Sequence, residues 1–261
     1  MVPCVKSFEV TGLRVDALGY GRVVDHLDDW IVSGLRPARI IVQINAYSCV
    51  VGMDDVSYRS TVNAADLSVP DGMPIVWLGR LHGLQLTDRV YGPELLLRLA
   101  ARGAKHRWKV YLYGGAPGIA EDLAARLERD FPGLSVVGWD SPPFRDLSPE
   151  EDAFICDRIN AVRPDVVWVS LGGPKQDKWA MEHKERLDTS VIHGVGAAFD
   201  FLTERVRQAP GWMQASGLEW AYRLYREPRR LWRRYLIGNA RFIYHAVPEL
   251  IRHRIPWGSA Q

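Results

Sequence analysis

The chain has 261 residues, of which 47% are hydrophobic and 25% charged, and its formal net charge is +2. This composition is that of a globular protein with ample material for a core. The cysteines Cys4, Cys49 and Cys156 are too few and too scattered for a disulfide framework or a zinc cluster, so we expect buried thiols in a reducing cytoplasm. The sequence has no apolar run of about 18 residues, which excludes a predicted membrane span, and we expect no signal peptide.

The charge is unevenly distributed along the chain. From residue 203 to the end there are eleven arginines, no lysines and four glutamates, a surplus of seven positive charges, so residues 1–202 carry a net charge of −5. This asymmetry predicts an acidic body and a basic tail that meets something negative. The tail also contains tryptophans, which together with arginine are typical of a membrane interface: Trp212, Trp220, Trp232 and Trp257.

The body alternates segments that are typical of strands and of helices. Short apolar segments, rich in β-branched and aromatic residues, predict buried strands over residues 39–45, 108–113, 134–138, 165–171 and 190–195. Helical spacing and capping signals predict helices over residues 73–81, 117–131, 148–162 and 175–186.

Strands that end in glycine turns and lead into helices are typical of right-handed βαβ units. We therefore predict an α/β fold over residues 1–202, with a parallel sheet flanked by helices. Residues 203–261 change to a helical and basic pattern, and they predict an appendage in which Pro228 begins a helix. Ligands bind such sheets at the carboxyl ends of the strands, where this chain carries Asn45, Gly114, Gly172 and Gly196.

Two aspartates are candidate site residues. Asp71 lies on a predicted turn, just before the helix over residues 73–81, and Gly72 allows a ligand to approach the backbone closely. The alternative for Asp71 is an N-cap of that helix. Asp200 follows an apolar stretch and is suited to accept a hydrogen bond from a ribose or a base, with a helix cap or a salt bridge as the alternative.

Two glycine-rich turns are further candidates on the same rim. Gly114 and Gly115 precede a helix, where small residues let a phosphate reach the N-terminal amides, although an ordinary turn explains them equally well. Gly173, Lys175 and Gln176 place a glycine, a cation and an amide at a helix start. They predict a site for the phosphates or sugar hydroxyls of a nucleotide, against the alternative of a plain surface turn.

The tail contains an arginine ladder, with six arginines between Arg223 and Arg234 among tryptophan and tyrosine rings. Guanidinium is permanently cationic and binds phosphate oxygens in pairs. The ladder therefore predicts a phosphorylated ligand, an anionic membrane surface or both, against the alternative of a solvated basic helix pair. The sequence has no Asp-x-Asp pair of the kind that holds a divalent ion on a nucleotide diphosphate, so we expect neither a metal nor another cofactor.

Two other classes of protein share parts of this pattern. A dinucleotide-dependent oxidoreductase has the same sheet and glycine turns, but the full phosphate-binding fingerprint and its ribose-binding acid are not clear in this chain. A nucleic-acid-binding protein could use the arginine and aromatic residues of the tail. We rank both below an enzyme that handles a phosphorylated substrate.

Seven stretches together resemble the WecG/TagA/CpsF family of bacterial glycosyltransferases. They are INA (44–46), ADLSVPDGMPIVW (65–77), DRVYGPEL (88–95), VYLYGG (110–115), VSLGGPKQDKWA (169–180), GVGAAFDFL (194–202) and QAPGWMQASGLEWAYRLYREPRRLWRRY (208–235). The resemblance implies a Rossmann-like α/β domain with a helical C-terminal appendage. It also implies an inverting enzyme that transfers a sugar from a UDP-sugar to a polyprenyl-diphosphate-linked acceptor, with UDP-N-acetylmannosamine as the best-known donor.

The resemblance assigns expected roles to individual residues. Asp71 matches the aspartate expected to be the general base. The other matching positions are expected to hold the substrates: Asn45 and Arg89 in the pocket, Gln176 and Asp200 on the nucleotide sugar, and Arg223, Arg230 and Arg233 on the diphosphate.

Three positions near the sugar pocket depart from the family pattern. Gln43 stands where threonine is usual, Asp177 where glutamate is usual, and Ala197 where glycine is usual. The donor therefore stays open between UDP-N-acetylmannosamine and a glucose-type sugar used for exopolysaccharide. We expect a cytoplasmic protein, peripheral on the inner face of the cytoplasmic membrane, whose tail caps the active site and contacts anionic lipid, with no nucleic-acid partner.

Overall fold

Two sheets form the framework of the protein. The computed structural model describes residues 5–34 and 36–254, so Cys4 and Trp257 lie outside the described residues. The strands are β1 (Ser7–Val10), β2 (Leu13–Asp16), β3 (Arg39–Ile44), β4 (Leu67–Pro70), β5 (Lys109–Gly114), β6 (Ser135–Asp140), β7 (Val166–Ser170) and β8 (Val191–Gly194). β1 and β2 form an antiparallel hairpin, and the others form a parallel sheet in the order β4-β3-β8-β7-β5-β6.

Helices flank the parallel sheet and continue into the tail. They are α1 (Tyr20–Val32), α2 (Ala46–Asp54), α3 (Val56–Asn63), α4 (Met73–Leu81), α5 (Gly92–His106), α6 (Ile119–Asp130), α7 (Pro149–Val162), α8 (Lys175–His183), α9 (Ala198–Leu202), α10 (Gly211–Ala215), α11 (Glu219–Arg226), α12 (Pro228–Trp232) and α13 (Gly238–Arg254). A π-helical turn, Arg233–Ile237, joins α12 to α13. Among the described residues, no helix combines the length and the apolar character needed to cross a membrane.

The predicted α/β fold is confirmed, with shifts at the ends of individual elements. All five predicted strands belong to the parallel sheet. The first of them ends one residue earlier than predicted, because Asn45 leaves the strand to cap α2. The predicted turn that carries Asp71 begins later than expected, since residues 68–70 belong to β4. The predicted helix over residues 117–131 begins at Ile119, after Gly118 adopts a φ of 84°.

The inner parallel strands β3, β8, β7 and β5 are largely apolar because both faces of the sheet are covered there, whereas β6 at the end of the sheet is partly exposed. Along β3, Ile40 and Val42 pack into the core on one face, and Ile41 packs into the core on the other. In β7, Val167 and Trp168 are divided between the two faces in the same way. This arrangement is typical of a parallel sheet between two layers of helices. The two layers leave the carboxyl ends of the strands uncovered; we call this end of the sheet its carboxyl edge.

The tail, which begins at residue 203, passes over the carboxyl edge and then packs back on the body, residues 1–202. Its first part packs on α4, where a side chain at Gly217 would come within 2.9 Å of Trp77. Its last helix, α13, packs against α2, and Phe242 and Ala246 are buried in the core on that face of the sheet. Arg241 adds a surface ion pair with Asp54 at 2.6 Å. The described part of the tail is therefore folded onto the body, while the predicted boundary between residues 202 and 203 stays a prediction.

Candidate active site

Asp71 lies at the carboxyl edge of the sheet, directly after β4. Its backbone N–H donates to the Ile44 carbonyl at 2.7 Å, which ties it to the end of β3. The N-cap of α4 is Gly72, with a φ of 132° and no capping side chain, so Asp71 does not cap that helix. The carboxylate is left available for another role.

Asn45 faces Asp71 in a fixed orientation. Its Oδ1 accepts from the backbone N–H groups of Tyr47 and Ser48, both at 3.1 Å, and thereby caps α2. Because Oδ1 is used by the helix, Nδ2 points the other way and donates to Asp71 Oδ2 at 3.4 Å. The helix cap thus aims an amide donor at the carboxylate.

Arg89 is held beside Asp71 by two residues of the tail. Its guanidinium donates to Glu219 Oε2 at 2.7 Å and to Gln214 Oε1 at 2.9 Å. The side chains of Arg89 and Glu219 are only 10% and 14% exposed. The Arg89 Cζ also lies 4.2 Å from the centroid of the Tyr91 ring. This buried cluster joins the tail to the pocket position predicted for Arg89.

The electrostatics of the cluster favour a carboxylate that exchanges protons near neutral pH. Burial raises the pKa of Asp71 to about 6. The positive charges of Arg89 and Arg223 oppose this shift, whereas the negative charge of Glu219 adds to it. A carboxylate with such a pKa is a stronger base than an ordinary aspartate and is still ionised at pH 7.

Gln43 contributes a buried amide to the same edge. It lies on β3 on the face of Ile41, and a side chain at Gly92 would come within 2.8 Å of its Oε1. Its Nε2 is buried without a hydrogen-bond partner among the described residues. A buried amide donor normally has a partner, so this one is available to a ligand.

Gly114 and Gly115 have a reason to be glycine that involves no ligand. A side chain at Gly114, whose φ is 119°, would come within 2.3 Å of the Ser170 carbonyl oxygen. Gly115 has a φ of 76° and donates its N–H to the same oxygen at 3.0 Å. The close approach of β5 to β7 thus requires glycine in this turn. An ordinary strand-to-helix turn, which the sequence also allows, explains both glycines.

Gln176 and its neighbours divide into a buried and an exposed part. Gln176 is buried, and its Oε1 accepts from the Gly196 N–H at 3.0 Å, which ties α8 to the loop after β8. Lys175 is exposed and lies 3.9 Å from Asp146. Gly173 has open space around it, with Asp177 Oδ2 as its near neighbour at 3.7 Å. This turn therefore offers a ligand the Lys175 cation and an accessible backbone.

The arginines of the tail surround Asp200 and approach Asp71. Asp200 is partly buried, which raises its pKa, and the charges of Arg230, Arg205 and Arg223 oppose that shift. Arg223 also acts on Asp71, so its charge lowers the pKa of both carboxyl groups. Its Nε is buried and has no partner among the described residues.

Arg234 joins this group, although the sequence analysis did not assign it a role. Its Cζ lies 4.0 Å from the centroid of the Tyr47 ring, and its Nε is buried without a partner in the described part of the chain. Burial lowers its pKa, and the charges of Arg223 and Arg230 lower it further. A buried donor without a partner is costly, so this group is suited to donate to an anion.

Arg233, in contrast, lies on the outside. It is exposed, with its Cζ 5.2 Å from the Trp232 ring. The π-helical turn that starts at Arg233 places an extra residue in the turn, and a 3.6-residue periodicity does not anticipate that change. The structure therefore keeps Arg223 and Arg234 partly buried and leaves Arg233 outside. Arg230 is also exposed, at 64% of its side chain, and pairs with Glu227 at 2.6 Å, although its charge acts on Arg234 and Asp200.

A second polar cluster lies between α7 and α8. Asp152, Cys156 and His183 bring possible metal-ligating atoms within 4.8 Å of one another. However, the Arg186 guanidinium lies 2.6 Å from Asp152 Oδ2 and 3.3 Å from His183 Nε2. Since this cluster already contains its own cation, it is an ion-pair network that joins the two helices. Both described cysteines, Cys49 and Cys156, are buried free thiols, as expected.

Comparison with known proteins shows which family the chain resembles. A profile of the "Glycosyl transferase WecG/TagA/CpsF family" matches residues 8–256. The chain is similar to N-acetylglucosaminyldiphosphoundecaprenol N-acetyl-beta-D-mannosaminyltransferase of Bacillus spizizenii, with 30% identity over 213 residues that cover 82% of this chain and 80% of the relative. The Bacillus subtilis protein of the same name is 26% identical over 213 residues, with the same coverage.

Proposed function

Because the chain belongs to the WecG/TagA/CpsF family and is a glycosyltransferase, we propose that it transfers a sugar from a UDP-sugar to a polyprenyl-diphosphate-linked acceptor with inversion. The two similar proteins are both named as N-acetylmannosaminyltransferases that act on N-acetylglucosaminyl-diphosphoundecaprenol. Their names support UDP-N-acetylmannosamine as the first donor to test. The departure at Gln43 keeps glucose-type donors as the alternative.

The observation that carries this proposal is a strengthened base close to an arginine with an unsatisfied donor. Asp71 has a pKa raised to about 6, and the charge of Arg223, whose buried Nε has no partner among the described residues, acts on it. An inverting transfer needs one group to accept the proton of the acceptor hydroxyl and another to stabilise the departing diphosphate. Both requirements are met within one cluster of side chains.

In the proposed mechanism, Asp71 accepts the proton of the acceptor hydroxyl as its oxygen bonds to the anomeric carbon. The bond from that carbon to the diphosphate oxygen breaks with its electron pair, so a negative charge develops on UDP. We propose that Arg223 and Arg234 stabilise this charge, and that Arg230 joins them when it exchanges its surface pair with Glu227 for the diphosphate. We propose that these guanidiniums perform the role that a divalent cation has in other transferases, so that the reaction requires no metal.

The outer surface of the tail supports a contact with the membrane that carries the acceptor. Tyr225, Trp232 and Tyr244 are exposed in the tail, and so are Arg226 and Arg229. Aromatic and basic side chains together favour the interface of an anionic bilayer, where each basic residue contributes about 1 kcal/mol. We propose that the protein is peripheral on the cytoplasmic face of the membrane and docks through this surface.

The test of the proposed function is a transfer assay with the full chain. The protein is incubated in EDTA with a synthetic polyprenyl-diphosphate N-acetylglucosamine and, separately, UDP-N-acetylmannosamine, UDP-glucose, UDP-glucuronate or UDP-N-acetylglucosamine, and the products are identified by mass spectrometry. We expect one donor to give a disaccharide on the lipid. Asp157→Asn, on the exposed side of α7, is the matched control for Asp71→Asn. Failure of every donor, with and without magnesium, would contradict the proposal.

A further inference from the structure

The contacts of Arg89 connect the tail to the candidate base. Within the described chain, the hydrogen bonds of its guanidinium go to Glu219 and Gln214, both in the tail. Its charge nevertheless acts on Asp71 and lowers the pKa of that carboxyl. Arg89 therefore lies between two carboxylates, and it is Glu219 that forms the 2.7 Å ion pair with it.

The groups that face Asp71 come from several elements. Arg89 and Tyr91 precede α5, Glu219 and Arg223 lie on α11, and the others are Asn45 and Tyr20. Among these groups, Glu219 carries a carboxylate. It raises the pKa of Asp71 by its own charge, and it also binds Arg89, the cation whose charge acts most strongly on Asp71.

We propose that Glu219 is a positioning residue for the transfer reaction: it binds Arg89, draws the guanidinium away from Asp71, and so leaves that carboxylate free to act as a base when the tail is docked. This inference rests on the proposed function. It assigns to the tail a role beyond contact with phosphate or lipid. When Glu219 is withdrawn, Arg89 is released, pairs with Asp71 and stabilises its ionised form, which makes it a weaker base.

Three of the contacts make Glu219 suited to this role. The pair with Arg89 is largely buried, so water screens it weakly. Tyr91 Oη donates to Glu219 Oε1 at 3.4 Å, which leaves Oε2 directed at Arg89. The Gln214 amide oxygen accepts from the second nitrogen of the guanidinium at 2.9 Å and keeps its plane turned toward the tail.

The experiment separates the charge of Glu219 from the docking of the tail. Glu219→Gln removes the charge and keeps the shape of the side chain. Gln214→Ala removes the other contact between the tail and Arg89 without a change of charge. Glu219→Asp keeps the charge on a shorter side chain. Each variant is first compared with the wild type by thermal unfolding and circular dichroism.

The first readout is the dependence of kcat/KM on pH. The acid limb of this profile is the range in which kcat/KM falls as the pH is lowered. In Glu219→Gln, the acid limb should move to lower pH by about one unit, because the pKa of Asp71 falls. The plateau of kcat/KM above it should be about threefold lower, because a weaker base is less effective. The acid limb stays at its wild-type position in Gln214→Ala and in Glu219→Asp. An unchanged acid limb in Glu219→Gln, at any plateau rate, would overturn the proposal.

The second readout does not require turnover. The carboxyl carbon of Asp71 is followed by NMR in protein labelled with ¹³C-aspartate, and its signal is assigned by its loss in Asp71→Asn. Titration should show a lower pKa for Asp71 in Glu219→Gln than in the wild type. If this shift occurs in a protein that transfers no sugar, the proposed function fails and the coupling stands. If sugar is transferred but the pKa does not move, the coupling fails.

Discussion

Replacement of Arg234 by glutamine should have opposite effects on activity and on stability. The Arg234 Nε is buried without a partner among the described residues, and burial and two nearby arginines lower the pKa of the guanidinium. The ligand-free protein therefore contains a buried guanidinium donor without a partner, which we assign to the diphosphate of the donor. The neighbouring Arg233 is exposed and provides a matched control one residue away.

The magnitudes follow from these contacts. A buried donor without a partner costs about 1–3 kcal/mol, and the stacking of Arg234 on Tyr47 offsets about 1 kcal/mol of that cost. The neutral glutamine should then stabilise the ligand-free protein by about 1 kcal/mol, which raises Tm by about 2–4 °C. Loss of one preorganised donor to a developing oxyanion should lower kcat by about 100- to 1,000-fold.

The assay compares Arg234→Gln, Arg233→Gln and the wild type. Tm is measured by differential scanning calorimetry without ligand and with saturating UDP, and kcat is measured by transfer to the lipid-linked acceptor. The stabilisation by UDP should be much smaller in Arg234→Gln than in the other two proteins. The reasoning would be refuted by a lower ligand-free Tm together with a normal kcat, or by an equal loss of kcat in Arg233→Gln.

Three further predictions follow from the same site. Asp71→Asn should lower kcat by about 100- to 10,000-fold while UDP still binds, as measured by calorimetry; near-normal turnover would remove Asp71 from the mechanism. Since Asp71 acts as a base only when ionised and its pKa is raised to about 6, wild-type kcat/KM should fall as the pH drops through 6, and a profile that is flat between pH 5 and 7 would contradict this assignment. Gly114→Ala should destabilise the protein by at least about 2 kcal/mol in urea unfolding, because of the 2.3 Å approach to Ser170, whereas Gly21→Ala, exposed in α1, should not.

Apolar runs and the glycines that follow them predicted five of the six strands of the parallel sheet. Four of these strands are covered on both faces, and β6 lies at the end of the sheet with part of its length exposed. The hairpin was missed because its two strands alternate apolar with polar or charged residues, and β4 was missed because Ser68 and Pro70 interrupt its apolar residues. In β4 the proline that ends the strand also resembled the start of a turn.

Only part of the candidate site was predicted, because a sequence pattern reports on residues that are close together along the chain. Asp71 and Asn45 follow two strands, so their position at the edge of the sheet could be derived. The partnership of Arg89 with Glu219 and Gln214 joins residues 130 and 125 positions apart, and no spacing rule connects them. Arg234 was visible within the ladder, but the π-helical turn decides which arginine faces the pocket.

The central claim is that guanidiniums of the tail, and not a metal ion, hold the diphosphate beside Asp71. Calorimetric titration in EDTA with UDP and with UMP tests it most directly, since the two ligands differ by the β-phosphate alone. Two charge-assisted hydrogen bonds to that phosphate should make UDP bind about 100-fold more tightly than UMP. The Arg223→Gln and Arg234→Gln double variant should lose this preference. Equal affinities of the wild type for UDP and UMP in EDTA, with a preference for UDP that appears only on addition of magnesium, would contradict the account.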